Sequence, residues 1–319
     1  MSTGSVKVII AALVGNALIA ITKFIASAMT GSSAMLSEGI HSLVDTGNQF
    51  LLLHGIKQAK KPPDENFPYG HGKEIYFWSF VVAIMIFALG AGVSLYEGVH
   101  HVIHPRVIDD PLINYVVLGL AMLFEGGSLL FAVREFKTAK GKLGYIEAVH
   151  TGKDPSIFLV LFEDGAAMLG LLVAFAGVLL AQLTGNYIFD GIASVIIGLI
   201  LAVTATWMAI ETKSLLIGES ANLPIRQGIN ELVDEIDEIE TVNEALTMHM
   251  GPEFLLVNIS ADFASGIDSD QVERAIAVLE MRIKERFPVV KKVFIEAESR
   301  SHFLRVKMQE QVQKQKQSD

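Results

Sequence analysis

The chain contains no cysteine. Disulfides, thiolate zinc sites and thiol catalysis are thereby excluded, and any metal must be held by His, Asp, Glu, Asn or backbone oxygen, ligands that suit an ion meant to be released. Charge is scarce as well. Only 19% of the 319 residues are Asp, Glu, Lys or Arg, against 51% hydrophobic, a balance that soluble enzymes rarely show and that marks an integral membrane protein. The net charge of -10 is concentrated in the last third, where Asp and Glu crowd residues 219–298. It therefore describes a soluble appendage, and nucleic acid is not an expected partner. The first residues, Met-Ser-Thr-Gly-Ser-Val-Lys, offer no small-residue cleavage site before the apolar sequence begins, so the first span is expected to be retained.

What the chain has in abundance is apolar sequence of helical period. Six stretches, roughly 6–29, 33–57, 75–101, 110–135, 155–183 and 188–217, are each long enough at about 1.5 Å per residue to cross about 30 Å of hydrocarbon. Basic residues collect in two connections: Lys57, Lys60, Lys61 and Lys73 after the second stretch, and Arg134, Lys137, Lys140, Lys142 and Lys153 after the fourth. By the positive-inside rule this predicts a multi-pass protein with both termini cytoplasmic, in the plasma membrane or, in a bacterium, the inner membrane.

Beyond Gly218 the texture changes. Residues 225–236 and 269–286 carry helical stripes, the latter capped by Asp268 or Ser269, while 243–250, 254–263 and 290–298 are strands. Leu255, Val257, Ile259, Ala261 and Phe263 alternate as one half-buried face, and Val272, Ile276, Leu279 and Ile283 form the matching stripe of a covering helix. The expected fold is an α-helical membrane protein of six transmembrane helices (1–218), followed by a small αββαβ, ferredoxin-like α+β domain (219–300). A Lys- and Gln-rich tail (301–319) is expected to be disordered or a fraying helix. About 80 residues make only a thin core, which favours pairing with a second copy.

One apolar stretch is interrupted by polarity. At about 100° per residue, Glu38, His41, Asp45, Asn48 and Gln49 share one sector of the second helix. His41 and Asp45, at i and i+4, are stacked one turn apart and can grip one cation between an imidazole nitrogen and a carboxylate oxygen. A charged residue in mid-membrane costs about 2.5 to 3.5 kcal/mol on insertion scales, so it normally serves function. The alternative is a helix pair glued by hydrogen bonds. Further carboxylates at membrane depth are Glu125 in the fourth stretch and the adjacent Glu163 and Asp164 in the fifth, which point about 100° apart and cannot both face one ion undistorted. A carboxylate paired with Lys23 is the competing reading, although Lys23 is near enough to the end of its helix to snorkel. The loop 60–73 holds Asp64 and His71, candidates for a second cation, or simply solvated. Ser194, Gly198 and Ala202 form a small-residue stripe suited to close helix packing.

His41-x-x-x-Asp45, the loop Tyr69-Gly70-His71-Gly72-Lys73 and the acidic terminal αββαβ domain together resemble the cation diffusion facilitators over about residues 6–298. Asp154-Pro155-Ser156, the Glu163-Asp164-Gly-Ala-Ala run and Glu125 look most like the branch containing the mammalian mitochondrial zinc transporter. The resemblance implies a homodimeric metal exporter that exchanges zinc for protons, with the metal as cargo and no cofactor. It also implies a His-x-x-x-Asp pair in the fifth span. Alignment on Leu169-Gly170 places Asp164 on that aspartate but Val160 on the histidine. Glu163 or Glu125 must then supply the fourth ligand, with Glu163 favoured, or the ion keeps a water. In the loop, Asp64 and His71 match two ligands found in some relatives while Phe67 replaces a third. Asn243, Asn258 and Glu296 stand where such relatives carry soluble-domain histidines, which argues against a binuclear zinc staple.

The function expected is a divalent-cation/proton antiporter of the lipid bilayer exporting Zn²⁺ from the cytoplasm, with Mn²⁺, Fe²⁺ or Co²⁺ acceptable to the same ligands. A metal sensor or scaffold without transport is the alternative. An intramembrane zinc hydrolase would need, in addition, a general base and a substrate cavity.

Overall fold

The computed structural model describes residues 3–108, 110–141, 144–145, 148–149, 153 and 155–318, so Lys142 and Asp154 of the sequence reading lie outside the described residues. Contacts divide the chain into two compact units, residues 1–62 with 73–216 and residues 63–72 with 217–319.

Among the described residues, the first unit is built from six long helices. α1 (Thr3–Thr30) and α2 (Ser33–Ala59) are joined by a two-residue turn. Gly31 takes φ +71°, a conformation that side chains resist, and Ser32 caps α2 by accepting from the Met35 N–H at 3.2 Å. α3 runs from Glu74 to Ile103 with one wide π turn at Ile86–Ala91. α4 (Pro111–Lys140), α5 (Pro155–Thr184) and α6 (Ile188–Ile217) complete the set. By length and composition, Glu74–Ile103, Pro111–Thr138, Phe158–Thr184 and Ile188–Ile217 suffice to cross a membrane.

α2 does not meet that measure because its many polar residues lower its mean hydropathy, and those residues are turned inward. Its buried residues include Ser37, Glu38, His41, Ser42, Asp45 and Asn48, whereas Leu43 and Phe50 are exposed. Such a helix is stable in a bilayer only if neighbouring helices cover its polar stripe. The small-residue stripe on α6 does its expected work against α3. A Cβ on Gly198 would stand 2.9 Å from the Leu95 nitrogen, and one on Gly191 would stand 2.8 Å from the Val102 nitrogen, so both positions require glycine for this approach.

The second unit carries α7 (Leu223–Asp234), β1 (Ile239–Gly251), β2 (Phe254–Phe263), α8 (Ser269–Arg286), β3 (Val290–Ala297) and α9 (Arg300–Ser318). The sheet order is β1-β2-β3, with β2 antiparallel to β1 and parallel to β3. The central strand buries Leu255, Val257, Ile259 and Ala261 completely, as its alternation requires, against Ala275, Leu279 and Ile283 of α8. Val272 and Ile276, expected in that stripe, are only half-buried. Asp268 accepts from the Gln271 N–H at 2.8 Å while Gln271 accepts from the Asp268 N–H at 3.0 Å, a reciprocal cap that starts α8. The tail, expected to be disordered or a fraying helix, is helical, α9. Lys307 on it donates to Glu244 at 2.9 Å and lies over the Phe303 ring at 4.7 Å, which ties a weakly apolar helix to β1.

Candidate metal centre

The polar stripe of α2 is fixed at its N-terminal end by an acid that the sequence reading did not single out. Asp190 of α6 is fully buried and accepts from Ser32 Oγ (2.5 Å), Ser33 N (2.5 Å), Ser33 Oγ (2.9 Å) and Ala34 N (3.4 Å). A carboxylate at the positive end of a helix dipole, satisfied by free N–H groups, is a strong anchor. Ser194, one turn along α6, bonds the Ser37 hydroxyl and donates to the Ser33 carbonyl at 3.3 Å. The available signal was the lone acid near the start of an apolar helix.

One turn further in, Lys23 of α1 corrects an expectation. Lys23 does not snorkel: it is fully buried, its ammonium 3.0 Å from Glu38 Oε2 and 2.8 Å from Ser42 Oγ. Its partner is Glu38, not Glu163 or Asp164. The alternative of reaching an interface loses because a carboxylate and a hydroxyl of α2 already stand beside it, and an unpaired Glu38 there would carry the desolvation penalty alone.

The centre of the stripe follows. His41 Nδ1 lies 3.3 Å from Asp45 Oδ1. The Asp45 carboxyl is within hydrogen-bonding reach of the Glu163 carboxyl on α5, a contact that requires a proton on one of the two. Asn48 donates to Glu163 Oε1 at 2.7 Å and so holds it toward α2. Asp164, the next residue, points elsewhere and accepts from Ser128 Oγ of α4 at 2.7 Å. Glu125 is buried near enough to act electrostatically on Asp45, Glu163 and Asp164. Val160 is on an exposed face and contributes nothing polar.

The structure thus brings His41, Asp45 and Glu163 into one chain of contacts. It keeps Asp164 on the α4 side and Glu125 at electrostatic range. Among the described residues, no three His, Asp or Glu side chains close into a metal cage. What suits a cation is a set of buried polar atoms without a hydrogen-bond partner: His41 Nε2, Asn48 Oδ1 and Gln49 Oε1, beside the loosely paired His41 Nδ1 and Asp45 Oδ1. Oxygen and imidazole lone pairs in that number, buried at membrane depth, fit a hard or borderline divalent ion and not an anion or an apolar ligand.

In the second unit, His71 Nε2 lies 3.4 Å from Asp64 Oδ2, while Asp64 Oδ1 accepts from the N–H groups of Asn66 (2.9 Å) and Phe67 (2.8 Å). Half of this carboxylate is therefore committed to shaping the loop, and the Phe67 ring packs 4.6 Å from the His71 ring. In place of a histidine cluster, the sheet carries a hydrogen-bond network. Asn243 donates to Ser260 Oγ (3.1 Å), Ser260 to Glu298 Oε2 (2.7 Å), and His302 Nδ1 is 2.9 Å from Glu298 Oε1. Hydrogen bonds from His302 and Ser260 hold the Glu298 carboxyl below its usual pKa. Asn258 and Glu296 are exposed.

Together these features define a helical membrane protein with a buried cluster of acids and one histidine and a small α+β unit, the form of a cation transporter. Residues 9–217 match the cation efflux transmembrane domain, and the chain belongs to that family, the cation diffusion facilitators. It is 35% identical over 82% of its length to the "Proton-coupled zinc antiporter SLC30A9, mitochondrial" of Xenopus laevis, covering 47% of that protein. It is 33% identical over 68% of its length to "Metal tolerance protein C4" of Arabidopsis thaliana, covering 48%. A more distant relative, the "Manganese efflux system protein MneP" of Bacillus subtilis, is 23% identical over 91% of this chain and 94% of its own. The chain spans about half the length of the first two. By name the first and the third of these are transporters, not enzymes.

Proposed function

We propose that the protein is a divalent-cation/proton antiporter that moves zinc out of the cytoplasm, working as a homodimer with both termini cytoplasmic. The membrane unit is taken to run through Gly218 and the soluble αββαβ domain over 219–300. The observation that carries this reading is the chain His41, Asp45, Glu163, in which two buried carboxyl groups stand close together and one of them lies 3.3 Å from the His41 imidazole.

The chemistry is competition for the same lone pairs. An ionised carboxylate and a neutral imidazole bind metal, and their protonated forms do not. A divalent ion arriving at Asp45 and Glu163 must displace the proton they share, and a proton arriving from the other side must displace the ion. Asn48 orients Glu163 for this exchange. Asp164 joins the site when its bond to Ser128 is released, making a ligand set of His41, Asp45, Glu163 and Asp164, with Glu125 in reserve as a proton carrier. Three carboxylates and one imidazole are harder than the four-ligand sets of strict zinc sites, and so tilt the preference towards Mn²⁺ or Fe²⁺ as second substrates. The manganese system among the relatives agrees with that tilt. Asp64 and His71 form at most an accessory site.

Purified protein in proteoliposomes, with an imposed pH gradient and Zn²⁺, Mn²⁺, Fe²⁺ or Co²⁺ offered singly and in competition, tests the proposal. The expected result is metal uptake driven by the gradient, with Zn²⁺ preferred. Uptake indifferent to the gradient, or none, would sink it.

A further inference from the structure

The buried pair Lys23–Glu38 is not used by the exchange just described. Both side chains are fully buried, their charged atoms are 3.0 Å apart, and Ser42 completes the ammonium's shell at 2.8 Å. The second Glu38 oxygen bonds nothing and is aimed at α5, where Gly170 leaves it room: a Cβ at 170 would collide with Oε1. Glu38 lies on the same face of α2 as His41 and Asp45, one turn N-terminal to His41 and two turns from Asp45. The Lys23 charge acts electrostatically on His41, Asp45 and Glu125 as well as on Glu38.

We propose that Lys23 is a tethered counter-cation of the transport site: it occupies Glu38, keeps that carboxylate out of the ligand set, and weakens the hold of the acidic cluster on a divalent ion so that the ion can leave. The physical need is plain. Asp45, Glu163, Asp164, Glu125 and Glu38 are five of the carboxylates buried in one helical bundle, and Asp190, the sixth among the described residues, is spent on capping α2. Ions held by several carboxylates in a low-dielectric site bind too tightly for turnover, since each unit of charge acts there far more strongly than in water. A soluble counter-ion would be exchanged along with the cargo. One fixed to α1 by a covalent side chain stays, and its repulsion of a divalent ion is the same in every cycle. Ordinary helix glue would be met by neutral hydrogen bonds, which are cheaper to bury than an ion pair. The choice of a full positive charge within reach of the ligands therefore points to the ion.

The inference rests on the proposed function, and the test separates the two. Full-length protein in nanodiscs is titrated with Zn²⁺ and Mn²⁺ by calorimetry, and the same variants are assayed for transport in proteoliposomes. Lys23→Met is expected to bind Zn²⁺ about tenfold more tightly, the size of one unit charge at moderate effective dielectric, and to transport more slowly. Glu38→Gln, which leaves Lys23 uncompensated, should bind about tenfold more weakly. Lys23→Met/Glu38→Gln should return to within about threefold of the unmodified protein. A merely structural role predicts weaker binding in both single variants, and that outcome, or unchanged affinity in Lys23→Met, overturns the inference alone. Should Lys23→Met not fold, Glu38→Gln decides, since affinity equal to or above that of the unmodified protein overturns it. Absence of any divalent binding by the unmodified protein would instead overturn the proposed function and this inference together.

Discussion

Asp45 of α2 and Glu163 of α5 face one another with their carboxyl groups in hydrogen-bonding reach, while Asp164, one residue further along α5, is bonded to Ser128 of α4. Adjacent residues on a helix diverge by about 100°, so packing α5 between α2 and α4 hands one acid to each neighbour. The predictions below follow from that division of labour.

Glu163→Gln should lower Zn²⁺ affinity by about 100-fold and reduce the number of protons exchanged per metal, because it removes both a proposed ligand and a proposed proton carrier. Glu125→Gln should leave affinity within about tenfold, since Glu125 acts at a distance. Calorimetry at two buffer ionisation enthalpies measures both quantities. Equal effects of the two substitutions would show that contact in this arrangement does not identify the ligand.

Asn48→Ala should cost about 10- to 100-fold in metal affinity without touching the metal, as removal of an orienting hydrogen bond does at other metal sites. Ser128→Ala should have the opposite sign or none, because it frees Asp164 to join the ion. Both are measured by metal titration. A loss of affinity in Ser128→Ala would place Asp164's working position on the α4 side.

Asp190→Ala should destabilise the helical unit by about 2–4 kcal/mol, since it strips several buried donors at the start of α2 of their acceptor. Thermal unfolding in detergent tests this. Folded Asp190→Ala protein should still bind Zn²⁺, because Asp190 anchors α2 and is not a ligand.

The Glu298 carboxyl titrates below its usual value of 4.5 in the folded protein, so its contribution to stability is complete above about pH 4.5 and is lost as pH falls through the depressed folded-state pKa. Hydrogen exchange of α9 and of the strand carrying Ser260 should accelerate in that acidic window and not between pH 6 and 8. Glu298→Gln should abolish the acid-dependent step.

Chelator should not dissociate the proposed dimer, since the positions of the would-be zinc ligands hold Asn243, Asn258 and Glu296, and the first of these is engaged with Ser260 and Glu298. Light scattering before and after chelation measures this, and a shift to monomer would sink it.

Much of this molecule follows from periodicity and composition, because those features are local. The inward stacking of His41 over Asp45 is a property of any helix with that spacing, and the burial of Leu255, Val257, Ile259 and Ala261 is a property of any strand covered on one face. The membrane class needed only the scarcity of charge. The tertiary structure decided matters that depend on how one helix is rotated against another. It turned Glu163, not Asp164, toward Asp45. It buried Lys23 against Glu38, fifteen residues away in sequence, when its place near a helix end suggested the interface. It carried Asp190 across 157 residues to the first turn of α2. None of these pairings has a local signature: each is set by the low dielectric of the bundle, where a buried charge must find a partner and the partner is whichever side chain packing places beside it.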